Sequence, residues 1–176
     1  MIIDSKTAQE QAALNAAYSL CAAIRTAPKA CGIDNLETAV ITAQEKDKLT
    51  AEMRRLGKAP KSEFFTRDAA NVDECVAVVL VGAKEEVRGL GNRCRLCGFS
   101  DCAESKAAGA CCAFTAIDLG IALGSAVAMA ADLRLDNRIM FTIGKAAQAM
   151  GLLGEYSFIM GIPLSVTGKS PFFDRS

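Results

Sequence analysis

Histidine is absent from this chain, and tryptophan with it. Without imidazole, a mixed Cys/His zinc site is excluded. Any proton transfer falls to a carboxylate, lysine, tyrosine or bound water. Net charge is absent too: 20 Lys and Arg stand against 20 Asp and Glu. That balance argues against nucleic acid as a partner, which calls for a basic surface. No run of like charge reads as a tail. The opening Met1-Ile-Ile-Asp-Ser-Lys6 has neither a basic nor an apolar leader stretch, so no signal peptide is read and a cytoplasmic protein is expected. Repeats and low-complexity linkers are lacking, and residues 1–176 are expected to form a single domain. Aromatics make up only 6%, yet 51% of the chain is apolar, mostly alanine and aliphatic residues, enough for a sizeable core.

Eight cysteines are present. With no secretory sign they read as free thiols or ligands before disulfides. Three fall in Cys94-Arg-Leu-Cys97-Gly98-Phe-Ser-Asp-Cys102, and a vicinal pair follows at Cys111-Cys112. Thiolate is a soft ligand suited to iron–sulfur clusters, zinc and copper. A tight Cys-x2-Cys-x4-Cys loop can turn three sulfurs to one side, and a fourth from the next element closes the site. Gly98 gives the turn its backbone freedom, Phe99 is placed to shield one side, and Arg93 and Arg95 to offset the thiolates. The spacing matches neither the bacterial nor the plant ferredoxin run. An iron–sulfur cluster, [4Fe-4S] before [2Fe-2S], is preferred to structural zinc and to unliganded thiols. Cys111 and Cys112 compete for the fourth position.

In chain order, helical spacing predicts a helix from Asp4 to Arg25, stopped by Pro28. A loop rich in turn formers, Arg25 to Asn35, carries two cations. A strand is expected over Thr38–Thr42. A capping box, Thr42-x-x-Glu45, then opens a helix that Gly57 ends. Another helix is read over Ser62–Ala70, with Phe64 and Phe65 as core anchors. Cys75–Val81 is a continuous apolar run, the mark of a strand buried on both faces. Gly89-Leu-Gly91 lacks the third glycine of a dinucleotide fingerprint. Asp101 is a candidate N-cap. The long segment Gly109–Ala131 has one charge, Asp118, whose cost in lipid argues for a core or interface helix rather than a membrane span. Its Gly120, Gly124 and Ala128 form a small-residue stripe that suits a dimer interface, with an internal helix crossing as the alternative. Asp118 and Asp136 are acid–base candidates, though a cap or ion pair is the more ordinary role for each. A helix over Ile143–Leu153, a last strand over Ser157–Val166 and a tail with Phe172-Phe173 complete the chain. Helices between strands suggest a three-layer or α+β arrangement.

Two resemblances rest on these residues. The cysteine run, with Asp136-Asn-Arg-Ile-Met-Phe-Thr-Ile-Gly144-Lys and Met160-Gly-Ile-Pro through Arg175, resembles the ferredoxin-domain-containing proteins of unknown function from anaerobic bacteria and archaea. Separately, Ala27-Pro28-Lys29 to Asn35, Asp118-Leu-Gly-Ile-Ala122 and Met160-Gly-Ile-Pro resemble the flavin-side segment, the central dimer-forming helix and the closing strand of FMN-dependent nitroreductases. That family's N-terminal Arg-Arg-Ser has no counterpart before residue 25. Arg25, Lys29, Lys169 and Arg175 are then the cations left to meet a flavin phosphate, beside Asn35.

These readings imply an α+β, nitroreductase-like fold: a small central sheet flanked by helices, with an inserted cysteine loop at 89–112. The cluster ligands are Cys94, Cys97, Cys102 and either Cys111 or Cys112. The expected function is iron–sulfur redox or electron transfer, with FMN as a second cofactor, a redox protein or small-molecule acceptor as partner, and a homodimer as assembly. No membrane or nucleic-acid partner is expected. The competing expectation is a zinc-stapled, non-catalytic dimeric binding module.

Overall fold

The computed structural model describes residues 1–173. Helix α1 spans Ser5–Thr26, and its N-cap Asp4 accepts the Thr7 N–H at 3.0 Å. Strand β1 is Leu36–Thr42, followed directly by α2, Ala43–Leu56, and α3, Glu63–Asp73. Strand β2, Ala77–Ala83, leads through an irregular segment to the short helix α4, Cys102–Ala107. Then come α5, Ala113–Asp132, the two-residue strand β3, Asp136–Asn137, α6, Phe141–Ala149, and β4, Phe158–Ser165.

The four strands pair in the order β1-β2-β4-β3, every pair antiparallel. Side chains alternate across a strand, and β2 uses both sides. Ala77, Val79, Val81 and Ala83 enter a core shared with Leu20 and Ile24 of α1 and Ala122 and Ala126 of α5. Val78 and Leu80 enter the opposite core, with Leu49 and Met53 of α2, Val72 of α3 and Ile143 of α6. The sheet is thus the middle of three layers. The unbroken apolar run in β2 signalled burial on both faces and carried no information on strand direction, which proved antiparallel. Pro163, in an inner strand, is tolerated because β3 pairs only Leu164 and Ser165 beyond it.

Two glycines bring α6 against β4. The backbone of Gly144 lies on the Ile159 carbonyl, and Gly161 lies on the Ile143 side chain, so a Cβ at either would collide. Several local expectations change. Phe65 is buried, but Phe64 is 39% exposed, because helical spacing turns only one of two adjacent residues inward. Thr42 sits at the α2 N-cap without a side-chain hydrogen bond. Gly57 ends α2 in a right-handed conformation, and its lack of a side chain instead lets Thr66 pack close. The last helix starts and ends earlier than periodicity suggested, at Phe141 and Ala149. Phe172 docks in the second core, while Phe173 stays exposed beside Arg138.

α5 has the length and composition of a membrane span. One of its faces packs on α1 and β2 and holds a buried ion pair, which makes it a structural helix of the three-layer fold. Its small-residue stripe points outward. Nothing lies within 4 Å of a Cβ built on Gly120 or Gly124, and Ile117 and Ile121 beside them are 43% and 42% exposed. The internal helix crossing is therefore not where the stripe is used.

Candidate metal centre

The segment between β2 and α5 wraps back on itself through a series of tight turns. Gly89 and Gly91 take φ of +70° and +61° and open it. A turn from Arg95 to Gly98 follows, closed by the Gly98 N–H on the Arg95 carbonyl at 3.0 Å, with Gly98 at φ +85°. Arg95, at φ +53°, bears a conformation costly for a residue with a side chain. Asp101 then caps α4, accepting the N–H groups of Ala103 and Glu104 at 2.8 and 2.9 Å. Glu104 reaches back to the Ser100 N–H and hydroxyl. Cys102 is the first residue of α4, and Cys112 is the N-cap of α5. The N-terminus of that 20-residue helix presents partial positive charge, which suits an anionic group there.

Cys94, Cys97, Cys102 and Cys112 line one cavity, together with Arg88, Arg95, Asp101, Ser105 and Phe114. Cys111 does not line it. Its side chain is exposed and its thiol donates to the Cys112 carbonyl at 3.5 Å. The cavity thus takes in Cys94, Cys97, Cys102 and Cys112 and leaves Cys111 out. Phe114, not Phe99, is the aromatic ring on the wall. Cys21, Cys31 and Cys75 lie elsewhere.

The Phe99 backbone N–H and the Ser105 hydroxyl, both beside its sulfur, hold the Cys97 thiol below the ordinary thiol range. The Ser105 hydroxyl is fully buried and has no well-formed hydrogen bond otherwise, so it is free to point at sulfur. Burial first, and then the Glu85 carboxylate, push the Cys111 thiol up. Thr115, its hydroxyl buried and otherwise unpartnered, sits beside that thiol.

Four thiolate donors around one cavity, with a low-lying thiol among them, fit an iron–sulfur cluster. Among the described residues, no three Cys, Asp or Glu side chains converge closely enough to ligate one ion. A zinc staple needs four donors on a single atom at about 2.0–2.3 Å. A cage of several irons instead takes sulfurs that stand apart around it. The cavity interior is about 10 Å³, one water's worth, so a cluster requires the 94–102 loop to move outward. Residues 94–101 are half-exposed or exposed throughout, which leaves room for that movement.

The wall behind the cysteines is a buried ion pair that sequence reasoning did not assemble. Arg88 donates through Nε and Nη2 to Asp118 at 3.3 and 2.8 Å, and both side chains are 1% exposed. Arg88 Nη1 donates to the Glu86 carbonyl at 2.8 Å. The other Asp118 oxygen accepts the Ala30 N–H at 3.0 Å, and the Cys31 thiol reaches the Arg88 carbonyl at 3.8 Å. The available signal was Asp118 itself: a lone charge in an apolar run demands a buried partner.

Of the residues named for flavin, Arg25 and Lys29 meet on one carboxylate, Asp34, with Lys29 at 3.7 Å. Arg25 is engaged by Asp34 at 2.7 Å and Glu37 at 3.2 Å. Lys29 closes the end of α1, donating to the carbonyls of Ile24, Arg25 and Ala27. Asn35 is buried and donates to the Lys84 carbonyl at 2.9 Å, leaving its Oδ1 without a partner. Lys169 is exposed near the tail, where its carbonyl accepts the Thr167 hydroxyl. Arg175 lies outside the described residues. Asp136 lies in β3, at the sheet edge.

Comparison with known proteins places this architecture. A family model described as an uncharacterized protein containing a ferredoxin domain matches residues 108–175. An uncharacterized protein of Archaeoglobus fulgidus is 40% identical over 184 aligned residues, spanning 100% of this chain and 98% of its own. Among solved structures, an FMN-bound nitroreductase from Desulfitobacterium hafniense matches with a TM-score of 0.58 at 14% identity, over 99% of this chain and 85% of its own. A nitroreductase family protein from Clostridium novyi matches at 0.57 and 14%, over 94% and 76%. An FMN-bound nitroreductase from Bacteroides fragilis matches at 0.57 and 10%, over 100% and 84%. At these identities the likeness is one of fold: the three layers are nitroreductase-like.

Proposed function

Because the chain belongs to the family of uncharacterized proteins containing a ferredoxin domain, we propose that it is an iron–sulfur electron-transfer protein whose cluster is held by Cys94, Cys97, Cys102 and Cys112. The observation that carries this reading is the convergence of those four side chains on one cavity while the neighbouring Cys111 faces outward. Four thiolates suit [4Fe-4S], which when bound supplies one-electron transfer at a potential set by hydrogen bonds to sulfur, burial and nearby charge. The Phe99 N–H and the Ser105 hydroxyl are the donors beside Cys97, and Phe114 keeps water from one wall.

An open pocket of about 370 Å³, lined by Lys84, Glu85, Glu86, Lys106, Gly109 and Ala110, runs up to Cys112. It supports approach of a redox protein or small acceptor to that sulfur. The outward stripe Gly120, Gly124 and Ala128, flanked by Ile117 and Ile121, supports a homodimer through α5. The nitroreductase-like fold alone favours a flavin-linked oxidoreductase as a second reading. The residues present do not fit an FMN phosphate as placed, since Arg25 and Lys29 are turned to carboxylates and carbonyls.

Protein purified without oxygen tests the reading. The expected result is a brown protein with about four irons and matching sulfide per chain, bleached by a one-electron reductant. Colourless protein carrying one zinc per chain would favour the stapled binding module, and a yellow compound released on denaturation would establish flavin.

A further inference from the structure

The cysteine cavity has a charged wall with a direction. Arg88 lines it and Asp118 does not. Both are buried, so water does little to screen either charge. Placing two ions out of solvent costs free energy that their attraction only partly returns, and a well-packed apolar pair would be as stable. The pair therefore does little for stability on balance. Arg88 is the member of the pair on the cavity wall, and Asp118 stands off that wall, accepting the Ala30 N–H. The backbone supports this order. Arg88 leaves the strand exit with Nη1 tied to the Glu86 carbonyl, and Asp118 stands on α5, the helix that begins at Cys112.

We propose that Arg88 and Asp118 form an oriented dipole that sets the reduction potential of the group held by Cys94, Cys97, Cys102 and Cys112. The inference rests on the cluster reading above. Reduction adds one electron to an already anionic thiolate-bound cluster, with no bond made or broken. The nearer cation stabilises the reduced state, and the farther carboxylate moderates that effect. Arg88 is thus a positioning residue whose charge acts through space, and Asp118 sets how much of that charge is felt. Arg95 also lines the cavity but is exposed, so water screens it.

The test is a dithionite titration of anaerobically purified full-length protein, read by visible absorbance and paramagnetic resonance. Asp118→Asn keeps the shape and hydrogen-bonding reach of the side chain while leaving the cation uncompensated. It should favour reduction about tenfold, about 59 mV upward for one electron. The double variant Arg88→Gln with Asp118→Asn leaves no unpaired buried ion and should fall below wild type. Arg88→Lys, which keeps the charge, should stay near wild type. A merely structural pair would move all three in one direction or none. Shifts of the same sign in Asp118→Asn and the double variant overturn the proposal. If Asp118→Asn does not fold, the double variant decides alone, and a midpoint at or above wild type overturns it. A wild-type protein that holds no cluster overturns both this inference and the reading beneath it, whereas loaded variants with unmoved midpoints overturn this inference only.

Discussion

Two neighbouring cysteines that sequence treats alike are made different by one backbone step. Cys112 caps α5 and faces the cavity, while Cys111 faces solvent and leans on its neighbour's carbonyl. Their surroundings also separate Cys111 from Cys97. The Phe99 N–H lowers the Cys97 thiol, whereas partial cover of its sulfur, and then Glu85, raise the thiol of the otherwise exposed Cys111. A lowered thiol is thiolate at a lower pH, and thiolate is the nucleophile. In metal-free protein near neutral pH, iodoacetamide should label Cys97 before Cys111, although Cys111 is the more exposed. Peptide mass spectrometry over time gives the order, and the reverse order would refute the assigned environments. Cys75 lies at the other extreme, pushed up to about 12 by burial from the ordinary thiol value of 9.0. Its raised pKa leaves stability intact below pH 9 and withdraws it as pH climbs from 9 toward 12. Cys75→Ala should flatten that part of the pH–stability curve in chemical denaturation. At this scale the grouping of Cys94, Cys97 and Cys102 on one cavity was legible from spacing, since they share one loop. That Cys112 and not Cys111 lines the cavity, and that Arg88 partners Asp118, needed the turn of α5 and the return of the strand exit, which are non-local.

Among the elements, the ones read best were those whose pattern is self-contained. α1, with its Pro28 stop, and the all-apolar β2 came out close to their expected bounds. Phe64 shows where such reading fails, because two adjacent aromatics on a helix cannot share a face and only packing chooses between them. Asp101 was legible as a cap from its position before a small helical pattern. Asp101→Ala removes acceptors for two N–H groups of α4 and should destabilise the loop by about 1 kcal/mol. Hydrogen exchange should show faster opening over 102–107 while β2 keeps its protection. Gly161 owes its place to contact: its backbone meets Ile143 on α6. Gly161→Ala forces an overlap and should cost about 1–3 kcal/mol in urea denaturation. A neutral result would mean that α6 does not press on β4.

At the scale of the whole molecule, the layered order was foreseeable, because a strand buried on both faces requires cover on both. Strand direction and order were not, since they depend on which segments meet across the sheet. The outward stripe on α5 leaves Ile117 and Ile121 in water in a single chain. A second copy would cover it. Gly124→Arg should convert a dimer to monomer in sedimentation without changing the circular-dichroism spectrum. A wild-type protein that sediments as a monomer at micromolar concentration would remove the dimer from the account.

The most direct measurement is iron and acid-labile sulfide per chain in anaerobically purified protein, with each of the eight cysteines replaced singly by serine. Serine at Cys94, Cys97, Cys102 or Cys112 should lower both sharply, while serine at Cys21, Cys31, Cys75 or Cys111 should leave both at the wild-type level. Full loading in the Cys112 variant together with loss in the Cys111 variant would contradict the assigned ligand set, and zinc in place of iron throughout would contradict the electron-transfer function itself.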